Sequence, residues 1–467
     1  MMTACVLCIC MAAAPVFPGT FEQWGQQRVG PVVFPEGSSR SWEEVTGFAQ
    51  EVGAKAVKTW VGGTKPGEGL ARVKSEPYRK LIRTFPVVHF NLSLSYIVDG
   101  YESGRIKPES LDALEKEWRD ITLFLCRERA FPDQIFLLSV GGEINVYLGT
   151  AGTYPEFPVA EYVNACHAAK EAALAEVPEA DRARIYSVAE LQGDKEFDRF
   201  AAQWVPAFET DLVSLSYYVF YRAPAECLGV LRRLMKPCGP FGDQRLMLGE
   251  YGPSIEACNW NQAAHARWHD EILRTAYAEH VQFAFFYEIA DHEFVIKTGS
   301  HDGLVKGDKG AERRLAWTYY ASLYSGRAPV LPEGDVYESH EQEPPETSER
   351  APNLVVKNFA PVSPEIHAGD TVSFSVTVSN EGTEASSATT VNFFVDDKLI
   401  SWVWIPSIAQ GLSLTLRCDQ GDARFTWRAQ AGTHRATAVA DGPGNNAETN
   451  EQDNVAHLSL MVPAANK

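Results

Sequence analysis

The feature that most limits what this chain can fold into is an alternation that fills its first two thirds. A short apolar run is followed by an amphipathic stretch, over and over. The runs fall at residues 56–61, 86–94, 134–140, 184–191, 211–219, 245–251 and 281–289, with an earlier one near 29–34. Helical patterns lie between them at 75–83, 110–127, 159–175, 195–208, 224–235 and 262–278, and one at 311–323 closes the series. Runs that are apolar throughout, not only at every second residue, belong to strands buried on both faces. Such strands pair in parallel, and each needs a crossover to bring the chain back to the same edge. Eight of these units predict an α/β fold of the (β/α)8 TIM-barrel type. An open doubly wound sheet is the competing arrangement, but no GxGxxG follows an early strand.

Past Ala328 the pattern stops. The stretch PVLPEGDVYESHEQEPPETSER holds seven acidic residues, one Arg and four prolines, which predicts an extended, self-repelling linker. Beyond it the apolar residues alternate, at 354–359, 371–379, 390–395, 412–417, 423–429, 433–439 and 455–461, with Gly, Asn and Asp clusters between them. Period two with turn signals at this spacing predicts an all-β immunoglobulin-like sandwich. At the other end, residues 3–16 are small and apolar and finish in Ala12-Ala13-Ala14 before Pro15. That is too short to span a bilayer and has the form of a signal peptide. The expected organisation is a signal peptide over 1–16, a catalytic barrel over 17–328, an acidic Pro-rich linker over 329–351 and a sandwich over 352–467. Export to the periplasm, cell surface or medium follows from it. Six cysteines lie beyond Cys10, and they behave as small buried hydrophobes unless paired.

The formal net charge of −19 narrows the partners. It repels phosphate backbones and anionic membrane surfaces, which excludes nucleic acid, and leaves a neutral substrate unaffected. No cofactor motif is present: the glycine-rich GGTKPGEG lacks the GK[ST] ending of a phosphate loop.

In a barrel the active site is built at the carboxyl ends of the strands. Two ionisable residues stand there. IFLLSVGGE puts Glu143 just past the fourth run, and RLMLGEYG puts Glu250 at the end of the seventh. Charged residues are rarely buried unless paired, so a carboxylate capping each apolar strand asks for a chemical reason. Two opposed carboxylates are what glycosidic bond cleavage requires, one to protonate the leaving oxygen and one to meet the oxocarbenium ion.

With these residues in view, the sequence resembles the clan A retaining glycoside hydrolases. The resemblance implies Glu143 in SVGGEINVYL as acid/base and Glu250 in LMLGEYGPS as nucleophile. It implies Tyr218, with Tyr217 beside it as the fallback, in DLVSLSYYVFY, as a hydrogen-bond donor to the nucleophile, and Tyr287, in FFYEIADHE, as the aromatic beneath the sugar. A β-linked polysaccharide or oligosaccharide is the substrate class implied, cleaved by double displacement, with no metal. Two positions depart from the clan. Gly142 stands where an Asn usually contacts the sugar 2-hydroxyl, so either Asn145, His89 or Asn91 substitutes from another strand, or the substrate differs at that hydroxyl, or the barrel is catalytically weak. No Arg ends the second strand, where VKTWVGG offers Lys58 and Trp60, the latter as a stacking platform. Residues 352–463 resemble the CARDB family, an adhesion-related sandwich of bacteria, through PNLVVKNF, AGDTVSFSVTVSNEGTEAS and ETNEQDNVAHLSL. This makes a non-catalytic carbohydrate-binding or adhesion protein the alternative function.

Weaker signals complete the reading. His265 and His269 have metal-ligand spacing on a helix. Asp291, His292 and Glu293 follow the eighth strand and stand near the rim. Trp402, Trp404 and Trp427 are candidates for a stacking patch, and Asp441, Glu448, Glu451 and Asp453 for a Ca²⁺ site, with core packing and turn solvation as the plainer roles.

Overall fold

The computed structural model describes residues 17–34, 40–102, 105–150, 157–193, 196–218, 223–255, 258, 260–291, 303–306, 312–336, 351–419, 427–441, 446, 448–450 and 452–464. The proposed signal peptide, most of the linker, and His292, Glu293 and Glu451 lie outside them.

Eight parallel strands form the first sheet: β1 (Val29–Pro31), β2 (Ala56–Gly63), β3 (Val87–Leu94), β4 (Ile135–Val140), β5 (Arg184–Gln192), β6 (Leu212–Tyr217), β7 (Leu246–Tyr251) and β8 (Ala284–Phe286). Their order around the sheet is β1-β8-β7-β6-β5-β4-β3-β2. The two ends meet at a parallel bridge between Val32 and Lys58, with the Val33 N–H donating to the Lys58 carbonyl at 2.8 Å. The sheet is thus a nearly closed barrel, as the repeating pattern requires.

Helices α1 (Phe21–Arg28), α2 (Trp42–Glu51), α3 (Glu68–Val73), α4 (Glu76–Thr84), α5 (Pro108–Glu128), α6 (Val159–Glu176), α7 (Phe197–Trp204), α8 (Pro224–Leu234), α9 (Gln262–Ala278) and α10 (Leu315–Tyr324) make up the outer layer. Helices α1 and α2 were not signalled by the apolar runs. Ser41 starts α2 with a capping box: its hydroxyl accepts from the Glu44 N–H, and the Glu44 carboxylate accepts from the Ser41 N–H. One core packs these helices on the outward strand faces, through residues such as Val57, Phe90, Leu138 and Leu248. A second, smaller core fills the floor of the barrel with Ala56, Val87, Leu137, Val188, Leu212, Met247 and Phe285.

The C-terminal unit is antiparallel: β9 (Leu354–Pro361), β10 (Thr371–Val372), β11 (Phe374–Asn380), β12 (Thr389–Val395), β13 (Lys398–Ile405), β14 (Ser413–Arg417), β15 (Trp427–Arg428), β16 (Gly432–Ala440) and β17 (Val455–Val462). Sheets of order β9-β11-β14 and β13-β12-β16-β17 enclose a separate core that includes Phe374, Val376, Phe393 and Ala438. Strand β13 was not expected from the sequence. Its segment KLISWVWI keeps period two, with Val403 and Ile405 inward and Trp404 58% exposed, and the outward tryptophans hide the alternation. Trp427 packs instead on the sandwich core, so the three tryptophans do not form one patch.

The tip of the β12–β13 hairpin meets the barrel at α9. Asn261, which caps α9, donates to Asp397 at 2.8 Å and to Asp335 at 3.0 Å. Lys398 pairs with Glu271 at 3.1 Å, and Leu399 packs against the barrel's outer core. The cysteines at 126, 166, 227, 238, 258 and 418 are thiols outside any disulfide, five of them buried.

Candidate active site

Strand alternation decides which side chains enter the barrel. On β2 Val57 and Val61 face the helices, so Ala56, Lys58 and Trp60 face inward. By the same count His89 and Asn91 enter from β3, Ser139 from β4, Glu190 from β5, and Ser214 and Ser216 from β6. The floor of the barrel is apolar and the half nearer the carboxyl ends is polar.

Glu250 enters only because β7 breaks its alternation. Leu246 and Leu248 face the helices and Met247 the interior, which would send residue 250 outward. One extra residue prevents this. Leu215 pairs with Leu248 but Ser216 with Glu250, and on the other side Ala284 pairs with Leu248 but Phe286 with Tyr251. This bulge turns Glu250 into the mouth and leaves Tyr251 in the outer layer. Gly249 sits within it, where a Cβ would stand 1.9 Å from Glu190 Oε2.

Three groups hold the Glu250 carboxylate, which is 2% exposed. Trp60 Nε1 donates to Oε1 at 2.9 Å, Lys58 Nζ lies 2.7 Å from the same oxygen, and the Tyr218 hydroxyl donates to Oε2. Tyr287 stacks on Trp60 at 6.1 Å between ring centroids and meets Tyr218 edge-on at 6.0 Å. Burial, followed by the charges of Glu250 and Glu143, pushes the Tyr218 phenol well above its ordinary pKa, so it remains a donor. Glu143 is half-buried and follows Gly141, with φ of 46° and 67° respectively, a left-handed turn that lifts it off the end of β4.

Lys58 is completely buried. Besides Glu250, its ammonium reaches both oxygens of Glu190 at 3.0 Å and donates to the Gly249 carbonyl at 3.1 Å. Burial works against its charge, but the Glu190 and Glu250 carboxylates outweigh it and raise its pKa. Glu190, also completely buried, accepts from Ser216 Oγ at 2.9 Å and Ser214 Oγ at 3.4 Å. Burial raises its pKa, with Lys58 opposing and Glu250 adding to the shift. Sequence reading missed Glu190 altogether and weighed Lys58 only as a missing Arg. The available signal was a Lys and a Glu at inward positions of otherwise apolar strands, which rarely survive burial unless paired.

The three candidates for the amide missing at Gly142 separate cleanly. Asn145 does not face the site: its Nδ2 donates to the Gln192 carbonyl at 2.9 Å and its Oδ1 accepts from the Gln192 N–H at 2.7 Å, tying the chain after β4 to β5. His89 is fully buried below the mouth, with Nε2 2.5 Å from Ser139 Oγ; burial and then Lys58 push its pKa well down. Asn91 does reach the site. Its Nδ2 stands 2.5 Å from where a Cβ on Gly142 would be, and its Oδ1 is buried with no hydrogen-bond partner among the described residues.

Other signals resolve into structural roles. His265 and His269 are buried, 3.2 Å apart, in a chain running from the Pro253 carbonyl to Tyr320 and Tyr251. Asp291 does not line the rim; it is completely buried in a bidentate pair with Arg314. His167, Glu171 and Asp211 bring potential metal-ligand atoms within 4.8 Å of one another, but the buried Lys170 ammonium already pairs with Asp211 and Glu171. In the sandwich Asp441 accepts from Thr389 and the Asn446 N–H, and Glu448 from the Leu354 N–H and Asn454. Asp441 thus closes its own turn, and Glu448 ties the segment before β17 to the start of β9.

Residues 351–457 match the CARDB family model, and this unit is a CARDB domain. A comparison with curated proteins finds no match. Among solved structures, the CARDB domain of a Pyrococcus furiosus protein in complex with di-metal ions is 23% identical, covering 24% of this chain and 89% of that one, with a TM-score of 0.21. Bacteroides uniformis β-glucuronidase is 12% identical over 94% of this chain and 46% of its own, with a TM-score of 0.40. GH5_18 from Bifidobacterium longum is 13% identical over 66% and 81%, with a TM-score of 0.44. Identities this low are silent on residues and substrate.

Proposed function

We propose that this protein is a retaining glycoside hydrolase in which Glu250 is the nucleophile and Glu143 the acid/base, acting on a β-linked glycan. The observation that supports it most is a carboxylate turned into the barrel mouth by a bulge and held by Lys58, Trp60 and Tyr218, with the half-buried Glu143 just past the end of β4. Three donors, two from β2 and one from the loop after β6, fix the orientation of Glu250, which is what in-line attack needs. The carboxylate attacks the anomeric carbon as the glycosidic C–O bond breaks, and Glu143 gives its proton to the leaving oxygen. Glu143 then takes a proton from water, which attacks the same carbon and releases Glu250.

The surroundings suit that chemistry. Trp60 and Tyr287 offer ring faces to a sugar and to the positive charge of an oxocarbenium ion. The Asn91 amide supplies, from β3, the hydrogen bond that Gly142 cannot. A carboxyl separation of about 5–5.5 Å goes with retention. We further infer an exported protein, from the apolar segment before residue 17 and from the CARDB domain.

The test is hydrolysis of a panel of aryl β-glycosides and β-glucans, with the product anomer followed by NMR. Wild type releases the retained anomer, and Glu250→Gln loses about 10⁴-fold or more in kcat while still binding. Glu143→Gln loses most on substrates with poor leaving groups, because those depend on the proton. An inverted product removes Glu250 as nucleophile. The CARDB domain favours the competing reading, a carbohydrate-binding or adhesion protein; binding without hydrolysis, equal in wild type and Glu250→Gln, establishes that one.

A further inference from the structure

Lys58 poses a problem that the hydrolase reading by itself does not solve. Its ammonium is completely buried, and in the resting site it lies 2.7 Å from Glu250. Double displacement converts that carboxylate into an uncharged glycosyl ester. A buried ammonium whose only anion vanished would be left uncompensated, which is strongly unfavourable.

Resting on that reading, we infer that Glu190 is the standing counter-ion of Lys58, a positioning residue that keeps the ammonium paired while Glu250 carries the sugar. Both Glu190 oxygens lie 3.0 Å from Lys58 Nζ, and the hydroxyls of Ser214 and Ser216 donate to the same carboxylate. These partners suit an anion. The arrangement occupies space that the sequence reserves for it, since any side chain at Gly249 would collide with Glu190 Oε2. Around Lys58 stand Glu190 from β5, Glu250 from β7, the Gly249 carbonyl and the uncharged ring of His89 from β3. Glu190 touches neither the sugar nor the reacting atoms; it acts through Lys58.

The consequence runs through both half-reactions. Before attack, the ammonium is shared between two carboxylates, so Glu250 keeps more of its charge for the anomeric carbon. When the Glu250–carbon bond forms and the glycosidic bond breaks, with the leaving oxygen protonated by Glu143, the repulsion between Glu190 and Glu250 ends. Lys58 then pairs fully with Glu190. Water attack restores Glu250 and the shared state.

The experiment is pre-steady-state hydrolysis of 2,4-dinitrophenyl β-glycosides, where the burst of dinitrophenolate reports glycosylation alone. Glu190→Gln slows the burst on the order of 10²-fold with KM little changed. Glu190→Asp, which restores the charge, recovers part of the rate. Should Glu190→Gln not fold, Ser216→Ala loosens the same carboxylate and gives a smaller loss in the same direction. A burst at the wild-type rate in folded Glu190→Gln overturns the inference and leaves the hydrolase reading intact. A wild-type protein with no turnover on any glycoside removes both.

Discussion

In the barrel, Glu190 and Glu250 are 0% and 2% exposed and lie against a buried lysine and aromatic donors; in the sandwich, Asp441 and Glu448 are 5% and 4% exposed and lie against backbone N–H groups. Burial is nearly the same and the partners are not. An acid that accepts a turn's N–H groups satisfies donors the fold has already created, so it stabilises its own loop. Two acids packed around one lysine in a barrel mouth create a charge problem that an apolar layer would avoid. Buried charge serves structure in the sandwich; in the barrel, under the proposed function, it serves reactivity.

Alkali should separate the two regions most widely. Burial raises the phenols of Tyr218, Tyr251, Tyr319, Tyr320 and Tyr324 in the barrel, and no tyrosine follows Tyr337. A group whose folded pKa is raised contributes fully below its unfolded value, about 10 for tyrosine, and its contribution is lost as pH rises through the folded values. The barrel strands should therefore lose hydrogen-exchange protection above pH about 10. The sandwich, where burial raises only the Cys418 thiol among such groups described, should hold longer. Simultaneous loss in both regions would mean that the α9 contact, not the phenols, governs alkaline unfolding.

Lys58→Met comes next. It leaves two carboxylates buried without their cation and should cost the barrel about 3–5 kcal/mol near neutral pH. Urea unfolding followed by tyrosine near-UV dichroism reads this from the barrel, because the sandwich has no tyrosine. An unchanged midpoint would show that the carboxylates are not charged together. The smallest effect belongs to Glu448→Gln, which sets an amide donor among N–H donors in the sandwich and should cost about 1–3 kcal/mol, with glycoside turnover untouched. A fall in kcat there would join the two regions functionally and erase the contrast.

Much of this was legible in the chain. Continuous apolar runs required parallel strands, and the position of Glu143 and Glu250 at run ends marked the mouth. Glu190 was not legible, because an inward glutamate inside RIYSVAELQ looks like any polar interruption until its partner is known. Its partner lies 132 residues away, on a strand separated from β5 by two others. Asn145 misled for the opposite reason: it sits two residues from Glu143 in sequence, yet the chain turns it onto Gln192.

Hydrophobic periodicity by itself determined the barrel and the sandwich, because burying each apolar face leaves few ways to stack the elements. Only the tertiary structure decided which way Glu250 points. One extra residue in β7, visible solely in its pairing with β6 and β8, reverses the face of every side chain after it, and pairing is a property of three strands at once.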